Sequence, residues 1–381
     1  MWDVIVVGAG ISGITAAQRL AQAGCRVRVL DKSRGLGGRM ATRRVTEPQG
    51  DGPTVAVDHG CRLIPWPSPP EESWLMPWID QGLLQPWTPT EFTLGADGSV
   101  ALRAVQEGVA APYYSVSQGM SALAKAMATG LSIQRQSRVT QVWLTAAGWR
   151  VDWVNDAAGV AAGSDPEATT PLEARALVLA LPAAQVIPIL RAATARNAEL
   201  TSFWAAAAAV TFDPVITVMA GYDSAIRADL SGVPANESTA AGWMVWGDGH
   251  PVLRWVVLDS SKRPHPPYPV VVAHSTAAFA EAHFDAADLP SVGQEILAAA
   301  AASLGHWLAQ PTWMQVHRWR YGLVKQAHPA NVLYTEAVPT LAGCGDWCGG
   351  VGLNEAVISG EAAAQRILES LKTGSTYMAA E

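Results

Sequence analysis

Charge is scarce in this chain, and positive charge scarcer still: Asp, Glu, Lys and Arg make up 15% of the 381 residues, with 26 Lys and Arg against 33 Asp and Glu. The formal net charge of −7, with no basic tail or stripe to offset it, excludes the electrostatic footprint of a nucleic-acid binder. Cysteine is equally sparse. Cys25, Cys61, Cys344 and Cys348 form neither a C-x-x-C pair nor a Cys/His zinc spacing, so no disulfide framework and no metal site is expected. Long apolar runs are missing too: Ala176–Leu190 and Trp204–Phe212 are too short or too proline-broken to span a bilayer. The apolar N-terminus carries Asp3 and is already spent on a strand, which leaves no signal peptide and points to a soluble, cytoplasmic protein. Internal repeats and low-complexity tracts do not occur. What remains is a chain 49% hydrophobic and long enough for two domains, each with its own core.

The stretch Trp2–Asp31 organises the rest. Val4–Val7 is a β-branched run of the kind buried on both faces of a parallel sheet. Gly8, Gly10 and Gly13 then follow on G-x-G-x-x-G spacing, where the strand must turn into a helix. Each glycine answers a need: a tight turn, close backbone approach to a pyrophosphate, and close helix–strand packing. Ile14, Ala17, Leu20 and Ala21 give the helix one apolar face, Gly24 ends it, and Val27–Leu30 is the second strand. Asp31 closes that strand at the spacing of an acid that accepts hydrogen bonds from a ribose 2′-hydroxyl. The Lys/Arg cluster Lys32–Arg44 sits beside this turn, and its two glycines before Arg39 suit a backbone wrapped on a phosphate with one planar cation alongside.

Further along, Met40–Val45 and Val55–Val57 have strand character, closed by Asp58-His59-Gly60. From Pro65 to Pro89 the composition shifts to proline and tryptophan (Trp66, Trp74, Trp78, Trp87), with a short helical run over Ser73–Gly82, and a second domain departs here. Gly119–Met127 opens a helix, followed by strands at Leu131–Gln136, Val139–Thr145 and Trp149–Val154 and by a mobile hairpin tip over Asn155–Pro171. Ala176–Leu181 is a buried strand stopped by Pro182, and helical sequence surrounds Thr194–Ala209. Strands are expected at Ile216–Ala220, Trp243–Trp246, Val252–Leu258, Trp313–Arg320 and Val332–Tyr334, and helices at His274–His283 and Val292–Leu308. The chain returns with a short strand, a glycine-rich turn around Gly345-Asp346 and a long helix with Ala356, Ala363, Ile367 and Leu371 near one face.

The first βα turn, a second Gly-Gly-Arg element and a C-terminal Gly-Asp turn opening a helix resemble the FAD-binding amine-oxidase-like flavoproteins. Within them, KSRGLGGRMATRR, DHG, SQGMSALAKAM, RVTQV, LALP, HRWRYG and GCGDW look closest to the renalase family. The resemblance covers most of the chain. It implies an α/β fold: a Rossmann-like FAD-binding domain of parallel sheet plus β-meander, with an inserted α+β substrate domain on a mixed or antiparallel sheet. The FAD-binding parts would be 1–64, 119–192 and 335–381, and the substrate parts 65–118 and 193–334. Gly8, Gly10, Ile11, Ser12 and Gly13 would cradle the FAD pyrophosphate, and Asp31 would take the adenosine ribose, with Lys32 beside it. Gly38, Arg39 and Met40 would line the phosphate–ribityl side, and Val139 would hold adenine through its backbone. Gly60, Cys61 and Arg62 would run along the flavin ring, Gly345 and Asp346 would bind the ribityl or pyrophosphate portion, and Leu353 and Asn354 would aim helix N–H groups at the flavin N1/O2 edge. The chain departs from the family at Cys61-Arg62-Leu63, where Gln and aromatics are usual, and at Asn354-Glu355, where an acid–glycine pair is usual.

The implied activity is oxidation of 2- and 6-dihydro isomers of NAD(P) by hydride transfer to flavin N5, with O2 as acceptor and H2O2 as product. This accords with the residues, which offer no convincing acid–base dyad: a dihydropyridine that loses hydride becomes an aromatic cation, and no proton need be removed. His274 is either the substrate-facing histidine of renalase-like proteins or a hydrogen-bonded residue at a strand–helix junction. Trp319, Arg320 and Tyr321 combine flat surfaces with a planar cation suited to a nicotinamide or dinucleotide. His59 reads as structural, Lys325 as a surface lysine, and Cys344 and Cys348 as small residues packed near a ligand or as a redox pair. Of the sixteen tryptophans, Trp143, Trp149 and Trp153 alternate on strands and need only pack. The alternatives are an amine oxidase, a porphyrinogen- or carotenoid-type oxidase, and a redox-silent FAD-binding structural or sensory protein.

Overall fold

The first strand, Trp2–Val7, has four fully or nearly buried valine and isoleucine side chains in a row, so it can only sit inside a sheet covered on both faces. The computed structural model describes residues 1–46, 52–65, 73–103, 113–156, 170–231, 233 and 242–378, and places this strand between two parallel neighbours. Val27–Leu30 pairs with it on one side and Leu172–Leu179 on the other. Ile133–Gln134 extends the parallel sheet beyond Val27–Leu30. Leu172–Leu179 is shared along its length: residues 172–174 pair antiparallel with the strand Gly148–Asn155, while 177–179 pair parallel with Leu341–Gly343. The hairpin of Ser137–Thr145 and Gly148–Asn155 is the expected meander.

Packing divides the chain into two units: Met1–Arg39 with Ala124–Phe212 and Val324–Glu381, and Met40–Leu123 with Asp213–Leu323. These divisions differ from the boundaries drawn on the sequence, for identifiable reasons. Val45, Val55 and Val57 pack with Met219, Met244 and Trp255 in the second unit. Phe203 and Ala207 pack with Leu177 and Leu341 in the first, and Leu333 pairs with Gly343 there. The expected hairpin tip over Asn155–Pro171 lies almost wholly outside the described residues, as does Trp66.

In the first unit the helix Ile11–Gln22 buries Ile11 through Ala17 and Leu20, while Ala21, expected on the same face, is exposed. Gly24, at φ +88°, ends the helix in a left-handed conformation. The last helix, Leu353–Met378, lies against it so closely that a methyl on Gly360 would come within 2.4 Å of the Ser12 carbonyl oxygen. A further helix, Ala183–Arg196, starts directly after Pro182 and contains Pro188. The sequence reading stopped a strand at Pro182 and began helical structure only near Thr194. Proline at a helix start lacks only an N–H that would be unpaired in any case, so Pro182 opens this helix.

The second unit is built on a seven-stranded mixed sheet: Trp243–Gly247 pairs parallel with Thr90–Leu94 and antiparallel with Leu253–Leu258. Val270–Ser275 is buried over all six residues and pairs antiparallel with both Leu253–Leu258 and Thr211–Gly221. Val271 and Ala273 face a core closed by the helix Leu289–Leu304, whereas Val270 and Val272 face a second core with Trp87, Trp255 and Trp313. Because the strand is covered on both faces it shows no alternation, and the sequence reading put His274 at the start of a helix. The helix is Ala277–His283, capped by the Thr276 hydroxyl, and His274 belongs to the strand before it.

The closeness of the two helices gives a first test. Gly360→Val is expected to lower the unfolding free energy by about 1–3 kcal/mol through overpacking against Ser12 and Thr15. Denaturant titration measures it; a loss below about 0.5 kcal/mol would mean that the helices can separate without penalty.

Candidate active site

Two of the three fingerprint glycines are fixed by the protein and one by what is absent around it. Gly8 has φ +107°, and a methyl there would come within 2.3 Å of the Ala180 carbonyl oxygen. One on Gly13 would come within 2.0 Å of the Gly8 carbonyl oxygen. Around Gly10 a methyl would meet nothing within 4 Å. Gly10 is the N-cap of the first helix, no side chain caps that end, and Ile11, Ser12 and Gly13 follow as its first turn. Open space beside uncapped N–H groups at the positive end of a helix is an anion cradle, and it fits a pyrophosphate.

A second glycine element closes on this turn. Gly37 N–H donates to the Ala9 carbonyl at 2.9 Å, and Gly38 (φ +57°) lies with its side-chain direction 3.4 Å from Gly10 Cα. That brings Arg39 beside the cradle, where its guanidinium pairs with Asp346. Asp31, at the end of the second strand, accepts from Ala9 N–H at 2.6 Å and Ser33 N–H at 2.7 Å, one bond on each oxygen. A carboxylate has lone pairs left for a ribose hydroxyl. Lys32 is exposed, with Nζ 3.5 Å from Gln185 Oε1. At Val139 the strand register shifts, so that Val139 opposes Trp153 and Gln141 opposes Asp152. Such a bulge frees backbone groups from the ladder, as an adenine contact would need. Gly345 N–H donates to the buried Ser359 hydroxyl, and a methyl on Gly345 would collide with Trp347. Leu353 and Asn354 start the last helix, after Gly352 at φ +138°. Glu355 stands in the same first turn, with its carboxylate about Gly350 and Gly352. Cys344 and Cys348 are buried free thiols; burial pushes Cys348 up to about 12 and Cys344 higher still, so they are inert packing residues.

In the second unit the segment Asp58–Arg62 crosses the face that carries Trp255 and His274, and side chains hold its backbone at three points. Asp58 N–H donates to Asp259 at 3.2 Å, and the Arg62 carbonyl accepts from Lys262 Nζ at 2.6 Å. Between them the His59 carbonyl accepts from both His274 Nε2 (3.2 Å) and Trp319 Nε1 (3.1 Å), which makes His274 the Nε2–H tautomer. Asp58 itself is completely buried. It accepts from the Thr42 hydroxyl, from Met120 N–H and from Arg263. Burial acts to raise its carboxyl, but Arg263, Lys262 and the two hydrogen bonds outweigh burial and hold it below the usual range. Asp259, Lys262 and Arg263 come from one short turn, and the sequence reading missed all three. Their only local signal is an acid followed by bases three and four positions on.

Parity on the strand Trp313–Gln326 sorts the other expected residues. Trp313 packs into the tryptophan-rich core and Met314 and Val316 into the opposite one, so odd-numbered side chains face Asp58–Arg62 and even-numbered ones face away. His59 stacks on Trp319 at 5.3 Å, and His317 meets both rings edge-on at 5.1 and 4.4 Å. Tyr321 has the parity of Trp319. Arg320 does not join them: it lies over Phe284 at 4.3 Å, 3.5 Å from Asp285, and is largely exposed. His274 is buried against Trp255 with its Nε2 engaged, so it steadies the His59 carbonyl and is not a substrate-facing base. Burial lowers His59 to about 4, helped by His317 and Arg43. Burial, with Arg62, holds His274 well below its usual value, and burial also lowers His317. All three imidazoles are therefore neutral at pH 7. Arg62 sits 5.2 Å from both the Trp246 and Trp255 rings, and its Nη1 has no hydrogen-bond partner. Burial lowers it to about 10, and it remains a cation at pH 7.

Two further tests follow from this geometry. Gly10→Leu should leave unfolding stability within about 1 kcal/mol, since its side chain has room, yet abolish FAD retention by filling the cradle. Arg39→Ala should weaken FAD binding roughly ten- to a hundredfold, the equivalent of one charge-assisted hydrogen bond of about 1.5–3 kcal/mol. Fluorescence titration of the FAD-free protein reads both, and unchanged affinity in either would place the pyrophosphate elsewhere. The second test concerns acid. Unfolded histidines bind protons below about pH 6.5, whereas these three stay neutral in the fold, so the unfolded state gains protons first and stability must fall as pH drops. Each contributes up to about 1.4 kcal/mol per pH unit between about 6.5 and its folded value, about 4 for His59. Urea unfolding at pH 7.5, 6 and 5 should show this slope, reduced by about one proton in His59→Asn.

Comparison with known proteins agrees with the architecture. Residues 6–78 match the NAD(P)-binding Rossmann-like domain, and residues 90–368 match the flavin containing amine oxidoreductase family. Hydroxyneurosporene desaturase of Cereibacter sphaeroides is 38% identical over 89 residues, 19% of this chain, and the match spans only 18% of the desaturase. Among solved structures, cyclohexylamine oxidase from Brevibacterium oxydans IH-35A superposes over 97% of this chain and 99% of its own, with a TM-score of 0.66 at 14% identity. Putrescine oxidase bound to putrescine gives 97%, 99%, 0.63 and 15%. At such identities the likeness is one of fold. The family match spans well over half the residues, and the chain belongs to the flavin containing amine oxidoreductases, as an FAD-dependent oxidoreductase.

Proposed function

We propose that this oxidoreductase is renalase-like: it oxidises 2- and 6-dihydro isomers of NAD(P), with O2 as electron acceptor. The dihydropyridine gives up a hydride equivalent and becomes the pyridinium, and O2 takes the two electrons with one proton from the substrate and one from solvent to give H2O2. When bound, FAD supplies the redox chemistry between the two. The observation that carries the reading is the cluster of His59, His317 and Trp319, in which both imidazoles are neutral at pH 7 and neither is hydrogen-bonded to a carboxylate among the described residues; the charge of buried Asp58 acts on His59, but burial, His317 and Arg43 outweigh it. Such a group offers flat surfaces and only weak bases, imidazoles that burial makes hard to protonate, and a dihydropyridine, which loses hydride and no proton, requires nothing stronger. Trp319 is fixed by its bond to the His59 carbonyl, so a ring laid against this cluster meets surfaces already in place. Gly60–Arg62 borders the flavin ring in this reading, as the resemblance implies.

Amine oxidation is the second reading, favoured by fold neighbours that act on putrescine and cyclohexylamine. The cations argue against it. Arg43 and Arg62 both depress neighbouring imidazoles, and Arg62 rests on indole rings without a carboxylate partner among the described residues. A field of that sign opposes an ammonium and welcomes a phosphate-bearing dinucleotide.

Anaerobic reduction of the bound flavin by the 2- and 6-dihydro dinucleotides should be fast and nearly flat from about pH 6 to 9, because the step removes no proton and burial holds both imidazoles of the cluster below their usual range. The ordinary 4-dihydro isomer should be far slower, its hydride carbon being misplaced in the same pose. His274→Gln should change the rate modestly. Trp319→Ala should raise apparent KM roughly tenfold, about the worth of one lost stacking contact, while Arg320→Ala on the opposite face should do little. Flavin bleaching by simple amines with a steep rise in rate with pH, or equal rates with all three isomers, would overturn the proposal.

A further inference from the structure

The turn Asp259–Arg263 contains the most deeply buried charges among the described residues, and their arrangement is not what stability alone would select. The Lys262 and Asp259 side chains have no exposed surface and lie 2.8 Å apart. Arg263 is 10% exposed, bonds Asp58 at 2.7 Å and stands 3.5 Å from Asp259. Two carboxylates and two cations balance, so no net charge is buried. Replacing such a set by apolar side chains is often neutral or stabilising, because desolvation consumes most of the attraction. What apolar residues could not do is satisfy backbone groups. Asp259 accepts the Asp58 N–H and Lys262 donates to the Arg62 carbonyl, so the pair holds both ends of one five-residue segment from a single turn. The ammonium also lies 5.3 Å from the Trp87 ring and 5.9 Å from the Trp255 ring, which fixes its direction of approach.

We infer that Lys262 is a positioning residue for the cofactor: with Asp259 as its counter-charge it draws the Arg62 carbonyl inward and so sets the course of the Gly60–Arg62 backbone along the flavin ring. This rests on the reading that Gly60–Arg62 borders the flavin, but not on the identity of the substrate. It concerns how the Gly60–Arg62 backbone is held, not whether FAD is retained. Lys262 decides how the ring end is bordered.

The test removes the donor without leaving an unpaired charge. In Asp259→Asn/Lys262→Met the Asn can still accept from Asp58 N–H and the Arg263–Asp58 pair persists, while the bond to the Arg62 carbonyl is lost together with the Lys262–Asp259 pair and the Asp259 charge facing Arg263. In Asp259→Asn/Lys262→Gln a neutral donor returns. Hydrogen–deuterium exchange on the FAD-free proteins should show amides of Gly60–Leu63 exchanging at least about tenfold faster in the Met variant, with partial recovery in the Gln variant. After loading with FAD, the Met variant should show a shifted flavin visible band and altered flavin fluorescence, while its FAD Kd changes less than about threefold. Unchanged exchange, or equal exchange in the Met and Gln variants, overturns the inference. Faster exchange with an unaltered flavin band overturns it as well, because the segment would then be held but would not border the ring. Failure of the dihydronicotinamides as substrates would leave each of these readouts intact. Should the Met variant fail to fold, the Gln variant against the wild type decides by the same two measurements.

Discussion

At Gly8 and Gly13, where the first strand becomes the first helix, not even a methyl group fits. The Gly8 backbone passes the Ala180 carbonyl, Gly13 passes the Gly8 carbonyl, and Gly360 passes Ser12, each at a distance that a Cβ would violate. These contacts pull strand, helix and last helix into one tight layer, and the layer holds the N-cap of the helix open at Gly10. Everything else in the nucleotide cradle is hung on that turn: Gly37 and Gly38 lie against it, Asp31 accepts from Ala9 within it, and Arg39 arrives beside it already paired with Asp346.

The second unit meets a comparable demand by other means. Its segment Asp58–Arg62 is not held by close approach of bare backbone but by side chains that reach it from two strands and one turn. Two indole and imidazole N–H groups converge on the His59 carbonyl, and an ion-paired lysine takes the Arg62 carbonyl. The same arrangement keeps the imidazoles neutral, because it buries them among cations. Positioning and the weakness of these imidazoles as bases thus have one origin.

The cradle could be read from the sequence because glycine spacing, strand, helix and acid are local and each has one physical use. The strands themselves followed from apolar runs of the right length, whereas their arrangement as a parallel sheet with a meander was what the family resemblance implied. Val270–Ser275 could not be read: buried on both faces, it loses the alternation that marks a half-buried strand, and it runs straight into Ala277–His283. The helix opened by Pro182 was hidden by a residue that stops strands and starts helices equally well. Arg320 was grouped with Trp319 because they are adjacent, although adjacency in a strand means opposite faces. Lys262 left no trace, since its partner carbonyl lies two hundred positions earlier in the chain.

Both units are assembled from separated stretches of chain, three in the first and two in the second. The strand Leu172–Leu179 gains its second parallel partner from Leu341–Gly343, and the first helix is covered by the helix that begins at Leu353. The earliest strand and helix therefore stay partly uncovered until residues about 330 positions further along have been added. Late closure of this kind makes folding slow and the unfinished layer adhesive.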